Sequence, residues 1–226
     1  MSEHERPIAT VDVVLFTLAD TEADGDGGLR VLLVEREREP FRGRAALPGG
    51  YVHVAEDADT ADTARRVLAG KLGVRAPYLE QLYTFGGRER DPRGWSISVA
   101  YFAMLPAARA AALPPGACWQ PIEVLPVLPF DHGAIVARAL ARIRDKATYS
   151  SLPAFLLGET FTLPQLHEVY CRVLGARPDP ASFRRKIEAQ GFIVPVPGAY
   201  SQDRSSRPAQ LYRLAVAGLR AFDRTI

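Results

Sequence analysis

Cysteine and histidine are scarce in this chain of 226 residues: two cysteines, Cys118 and Cys171, and four histidines, His4, His53, His132 and His167. The cysteines lie far apart without metal or redox spacing, and the histidines form no cluster. That pattern argues against a zinc site, a dithiol redox centre and a disulfide-stapled secreted fold. Two reduced thiols fit a cytoplasmic protein. No apolar run approaches the length that spans a bilayer, and Met1–Pro7 lacks the apolar stretch of a secretory signal, so no membrane partner is expected. A strong charge of either sign is also missing, the formal balance being +2.

What is present is an ordinary globular composition, 47% hydrophobic and 24% charged, at a length comfortable for two domains. The small net charge hides an asymmetry. From Ser150 onward there are 10 Lys/Arg against 6 Asp/Glu, a balance of +4, whereas the preceding residues balance at −2. A basic C-terminal piece fits a nucleic-acid partner, although solvated basic faces are common. The expected division is 1–149 and 150–226.

In the first part, Ile8–Leu18 and Leu29–Glu35 read as strands of a long hairpin about an Asp/Gly-rich turn. Glu80–Gly86 and the β-branched, aromatic Trp95–Met104 read as strands, with Gln120–Leu128 a further short one. A helix is expected from about Asp59 to Leu72 and another over Asp131–Lys146. In the second part, Thr162-Leu163-Pro164-Gln165 is a capping-box start, and its helix ends at Gly175. Asp179-Pro180 starts another helix that stops at Gly191. Phe192–Val196 and Gln210–Leu214 then read as strands around Pro197–Pro208. Helix, tight turn, helix and hairpin make a winged helix-turn-helix.

On the second of those helices, Phe183 and Ile187 are four apart and face the small core. Arg185 then points outward, with Ser182 beside it and Arg184 and Lys186 on its flanks. That face suits the major groove: Arg185 on a base edge, Arg184 and Lys186 on phosphates. Thr162 at the preceding helix start is added to the candidate DNA contacts. Arg204, Arg207 and Gln210 in the wing are expected to reach the backbone or the minor groove. The competing reading is a solvated cationic face.

Residues 47–74, LPGGYVHVAEDADTADTARRVLAGKLGV, carry a second motif. They resemble the Nudix box: Gly, five residues, Glu, seven residues, then Arg-Glu-apolar-any-Glu-Glu-any-Gly-apolar. Gly50 and Glu56 match its front, and Arg66, Leu68, Gly73 and Val74 its back, with two extra residues between Glu56 and Arg66. Where the family has three metal-binding glutamates, this chain has Val67, Gly70 and Lys71. Mg²⁺ requires oxygen ligands in near-octahedral array, which these side chains do not offer. The upstream acids Glu56, Asp57, Asp59 and Asp62 read best as complements to the positive end of the helix.

The resemblance implies a Nudix-type mixed α/β/α sandwich over roughly residues 8–148, followed by a winged helix. That pairing is similar to the Nudix-related transcriptional regulators of NAD metabolism, the NrtR family. It is carried by LPGGYV, the RDPRG turn at 90–94, FTLPQLHEVYCRVLG, SFRRKIEAQG and RPAQLYRL. The resemblance implies a homodimeric repressor of NAD biosynthesis or salvage genes on a palindromic double-stranded DNA operator. Its Nudix domain would sense ADP-ribose or a related nucleotide, with no metal or cofactor required. A diphosphate needs cations and free backbone N–H groups. Arg44, Gly49 and Gly50, with Arg90, Asp91 and Arg93 of the turn, are the candidates, and Tyr51 or Phe85 is a candidate platform for adenine. Two readings compete: a Nudix hydrolase acting on ADP-ribose or a similar diphosphate, and a nucleotide-binding adaptor whose second domain binds protein.

Overall fold

A computed structural model describes residues 6–18, 28–110, 112–201, 208–223 and 225–226. Two compact units emerge, neither continuous in sequence. The first comprises Met1–Phe16, Arg30–Met104 and Ala112–Leu140; the second comprises Thr17–Leu29, Leu105–Ala111 and Ala141–Ile226.

The first unit is organised by a mixed seven-stranded sheet in the order β3-β2-β1-β6-β5, with β4 added to β1 and β7 to β2. The strands are β1 (Ile8–Leu18), β2 (Leu29–Glu35), β3 (Ala45–Ala46), β4 (Gly49–Tyr51), β5 (Tyr78–Gly87), β6 (Ser96–Met104) and β7 (Ala117–Pro121). Strand β1 is buried without interruption from Val11 to Leu18, the pattern of a strand covered on both faces rather than one. It runs parallel to β6, from Ile8 against Ser96 to Phe16 against Met104, and antiparallel to β4. Helix α1 (Thr60–Leu72) buries Ala64, Val67, Leu68 and Leu72 and packs on β4 and β6. Asp59 caps it by accepting from Asp62 N at 2.8 Å, and Gly73 closes it. A short helix, α2 (Ala107–Ala110), precedes β7. Helix α3 (His132–Tyr149) buries Ile135, Ala139 and Ile143 at helical spacing.

The strand expected over Gln120–Leu128 lies earlier, at Ala117–Pro121, and is followed by one 3₁₀ turn, Ile122–Val124. Beyond the last pair, Pro121 opposite Arg30, the chain leaves the ladder, and Val124 and Val127 stay exposed despite their apolar pattern.

In the second unit a 3₁₀ turn, Leu152–Leu156, leads to α4 (Leu163–Leu174). The capping box is complete: Gln165 N donates to Thr162 Oγ1 at 3.3 Å, and Thr162 N donates to Gln165 Oε1 at 2.8 Å. Gly175 ends α4 at φ 68°, a conformation costly for any residue with a Cβ. Helix α5 (Pro180–Gln190) is capped by Asp179. The hairpin β8 (Ile193–Tyr200) and β9 (Gln210–Leu214) follows, and Phe161 adds a single antiparallel bridge to Tyr212. The core is aromatic: Phe183 lies 5.1 Å from the Tyr170 ring, Phe192 lies 5.2 Å from Phe222, and Leu166 and Ile187 fill between. Strand β8 runs four residues further than expected, resuming its pairing beyond an irregularity with Tyr200 opposite Gln210.

Candidate nucleotide site and nucleic-acid interface

Gly49 sits where β4 presses on β1. A Cβ there would stand 2.2 Å from Asp12 Oδ1 and 2.8 Å from the Val11 carbonyl, so only glycine fits. At Gly50 a Cβ would come 3.2 Å from Val67 Cγ2. The two glycines, expected to open the backbone to a phosphate, serve first to seat this strand against Asp12 and α1.

Asp12 interrupts the apolar strand β1 and anchors a buried charge network. It accepts from Ser98 Oγ at 2.7 Å and pairs with Arg90 Nη2 at 3.4 Å. Arg90 also donates to both oxygens of Asp131, at 3.0 and 2.8 Å, and to Ser96 Oγ at 3.2 Å. Its side chain is 7% exposed. Desolvation works against the Arg90 charge, but the hydrogen bonds and charges of Asp131 and Asp12 outweigh it, and the net shift is upward. Arg90 is therefore a tie between strand and helix; as an open phosphate ligand it is corrected. His132 completes the network. Its Nδ1 accepts from Leu47 N at 3.0 Å, which only a neutral ring can do, leaving Nε2–H toward Asp12 Oδ1 at 3.5 Å. Burial holds its pKa below the ordinary value, against the opposing pull of Asp12.

Asp91 is likewise buried and faces Arg93, which donates to it from Nε at 2.9 Å, Nη2 at 2.6 Å and its backbone N at 3.0 Å. Desolvation would raise the Asp91 pKa, but these bonds leave it below the ordinary value. Asp91 is thus an orienting group rather than a ligand contact. The guanidinium it aims reaches the Tyr51 hydroxyl and lies 5.7 Å from that ring's centroid. Tyr51 is half exposed, as an aromatic platform requires. Phe85 is half-buried on β5 and packs edge-on against Tyr83 at 5.3 Å. Arg44 is exposed and donates to the Val127 carbonyl.

Of three residues near this cluster, Arg36 and Asp12 escaped the sequence reading, and Lys71 entered it only as a lost metal ligand. Arg36 lies 4.7 Å above the Phe130 ring and donates from Nε to the Pro40 carbonyl at 2.8 Å. Its pKa is lowered by burial and then by Arg93, against the pull of Asp12, Asp91 and Tyr51. Phe130 and its edge-on partner Phe41 both adopt positive φ, 55° and 69°, a strained arrangement for aromatic residues. Lys71 donates from Nζ to the Gly49 carbonyl at 2.6 Å. The third, Asp12, had a visible signal in a lone acid within TVDVVLF.

The upstream acids do more than face the helix end. Asp57 holds Arg66 through Nε and Nη2, both at 2.7 Å, and accepts from Thr63 Oγ1 at 2.8 Å and His53 N at 2.8 Å. The Arg66 hydrogen bonds hold the Asp57 carboxyl well below the usual carboxylate range. Arg66 also reaches the Tyr51 carbonyl at 2.9 Å, so this pair fixes the loop beside Tyr51. Glu56 meets His53, and Asp62 meets Arg65, both at the surface.

In the second unit, Phe183 and Ile187 are buried, and Arg184, Arg185 and Lys186 are exposed. Arg184 Nε pairs with Glu188 at 3.0 Å, and Lys186 Nζ donates to the Thr225 carbonyl at 3.2 Å. Arg185 makes no hydrogen bond among the described residues; its charge helps lower the Asp179 pKa, behind the hydrogen bonds from Ser182. Ser182 N donates to Asp179 at 2.9 Å within the cap. Two expectations are corrected. Thr162 is buried in its capping box, its hydroxyl engaged with Gln165 instead of standing open at the surface. Gln210 donates to the Val196, Ala199 and Leu211 carbonyls at 2.8–3.0 Å and braces the hairpin instead of reaching outward. Arg204 and Arg207 lie outside the described residues.

Comparison with known proteins decides the family. A NUDIX domain model matches residues 10–142, and the NrtR DNA-binding winged helix domain matches residues 153–214. The ADPR responsive transcriptional repressor NtrR of Acinetobacter baylyi is 34% identical over 220 residues, covering 95% of this chain and 85% of that protein. The chain belongs to the NrtR family. The structure of Shewanella oneidensis NrtR complexed with a 27mer DNA matches at 36% identity and TM-score 0.83, covering 96% of this chain and 99% of that one. The Nudix domain of the same NrtR complexed with ADP ribose matches at 37% identity and TM-score 0.52, covering 62% of this chain and 90% of that one. The mixed α/β Nudix fold and the winged helix described above are those of this family.

Proposed function

We propose that this chain is a transcriptional repressor that binds operator DNA through α5 and its wing and senses ADP-ribose, or a related NAD-derived nucleotide, in its Nudix unit. The genes it controls are those of NAD biosynthesis or salvage, the setting in which such a nucleotide carries information. The supporting observation is a pairing of two cationic surfaces. Arg185 stands on the outward face of α5 without a hydrogen bond among the described residues, and Arg93, aimed by buried Asp91, stands over half-exposed Tyr51. A guanidinium beside an aromatic platform suits phosphate and adenine together.

The residues do not fit the divalent metal of Nudix hydrolases. Val67 packs against Gly50, Gly70 has no side chain and open space around it, and Lys71 brings an ammonium. Asp57 is held by Arg66. The Nudix unit accordingly binds and does not cut, and purified protein is expected to turn over no ADP-ribose with Mg²⁺ or Mn²⁺. The active form is a two-fold dimer on a palindrome, because one winged helix per chain gains affinity and specificity by pairing. The compartment is the one that holds the DNA, the cytoplasm. A thermal-shift panel of NAD, ADP-ribose, AMP and nicotinamide mononucleotide, run beside operator selection from random duplexes, tests the reading. Stabilisation by ADP-ribose and enrichment of a palindrome are expected. No nucleotide response and no enriched sequence would return the chain to the adaptor reading.

A further inference from the structure

We propose that Lys71 is a built-in cation that takes over the metal's part in holding the ligand's diphosphate, so that nucleotide binding is independent of divalent ions. This rests on the reading of the Nudix unit as a nucleotide sensor and adds the residue and the ion dependence to it.

Three observations converge. By its resemblance to the Nudix box, Lys71 falls where the family carries a metal-binding carboxylate, and it lies in the last turn of α1. Its ammonium is tethered, donating to the Gly49 carbonyl at 2.6 Å, and among the described residues two of its three N–H groups remain for another acceptor. Gly49 is in turn locked against Asp12, so the tether ends on a rigid strand. The second observation is the company it keeps. Arg36, whose side chain among the described residues donates to the Pro40 and Arg38 carbonyls, acts electrostatically on Lys71, and Arg93 acts on Arg36. Among the described residues neither Arg36 nor Lys71 makes an ion pair, and Asp12, Asp91 and Glu37 act on them only from beyond ion-pair distance. The third is the direction of the Lys71 pKa. Although the residue as a whole is exposed, desolvation of its amine and then the Arg36 charge lower the value; Glu37 and Asp12 oppose them without prevailing. A bound diphosphate relieves that crowding. A hydrolytic site needs a metal to polarise the scissile bond, whereas a sensor needs only charge balance.

The test is calorimetry of ADP-ribose with the full-length protein in EDTA and in Mg²⁺, for the wild type, Lys71→Gln and Lys71→Glu. Thermal unfolding without ligand checks that each variant is folded. The wild type is expected to bind equally in both buffers. Lys71→Gln is expected to bind about tenfold or more weakly, the loss of one charge-assisted bond, and Lys71→Glu more weakly still in EDTA. Wild-type binding that requires Mg²⁺, or a folded Lys71→Gln with unchanged affinity, overturns the role of Lys71 while leaving the sensor reading intact. Absence of binding by the wild type in either buffer overturns the sensor reading itself.

Discussion

The two cationic surfaces of this chain are built in opposite ways. In the Nudix unit three arginines are aimed by acids that are buried or largely so: Arg93 by Asp91, Arg66 by Asp57, and Arg90 by Asp12 and Asp131. On α5 the cations are exposed, and their partners among the described residues are one helical neighbour, one carbonyl or none. Buried acids fix an arginine to a fraction of an ångström, which a small ligand with two phosphates requires. They do so at a high desolvation cost that only an intact network offsets. Solvated cations on a helix contribute little to stability, but they can follow a long, regular polyanion and release its counterions. The fold thus separates a preorganised site from an adaptable surface.

Breaking the apolar support of α5 has the largest expected effect. Phe183 is buried between Tyr170 and His167, with ring centroids at 5.1 and 4.9 Å. Phe183→Ala is expected to cost about 3–5 kcal/mol and to unfold the winged helix, seen as lost helical circular dichroism and lost DNA binding. Next comes the tie in the Nudix unit. Arg90→Met leaves Asp12 and Asp131 without their cation; the expected loss is about 3 kcal/mol, the lower end for a broken buried pair because Asp131 is partly exposed. Urea unfolding measures it, and a loss below that of a surface substitution removes the claim that this network is structural.

The contrast between aimed and solvated cations sharpens on DNA. Arg185→Ala is expected to leave folding unchanged, to weaken specific binding by about 1–3 kcal/mol and to relax preference at one base pair per half-site. Lys186→Ala weakens all sequences alike and flattens the salt dependence. If both folded variants keep operator affinity across a salt series, α5 is not the reading helix.

The smallest effect is on pH dependence. His132 is buried and neutral, with its pKa below the ordinary 6.5, so the unfolded chain binds this proton more tightly than the folded one. Stability is therefore complete above 6.5 and falls as pH drops below it. His132→Gln, whose amide oxygen can still accept from Leu47 N, is expected to flatten that slope in thermal unfolding between the ordinary histidine range and the carboxylate range. An unchanged slope would show that another group governs it.

The helices were legible because their signals are local. Asp59 to Gly73, Thr162 to Gly175 and Asp179 to Gly191 each carry a cap, an apolar stripe and a glycine stop. The outward face of α5 followed from Phe183 and Ile187 by helical geometry alone. The Nudix site was only partly legible, because its residues meet through strand pairing. Arg90 reaches Asp12 across 78 positions of sequence, and Asp131 across 41. Motif matching placed Arg90 and Arg93 side by side as candidates; burial separated them into a tie and an open guanidinium. Gln210 was misread for a related reason: a polar residue near a Pro/Gly-rich loop looks solvated until the carbonyls it satisfies are known.

The central claim, a nucleotide site that signals to DNA binding without cutting its ligand, is tested most directly in one vessel. Purified protein is held with fluorescent operator DNA and Mg²⁺, ADP-ribose is titrated in, anisotropy reports DNA binding, and the nucleotide is then recovered and assayed for AMP and ribose phosphate. A change in operator affinity with ADP-ribose recovered intact is the predicted result. Release of AMP and ribose phosphate with operator affinity unmoved would contradict it.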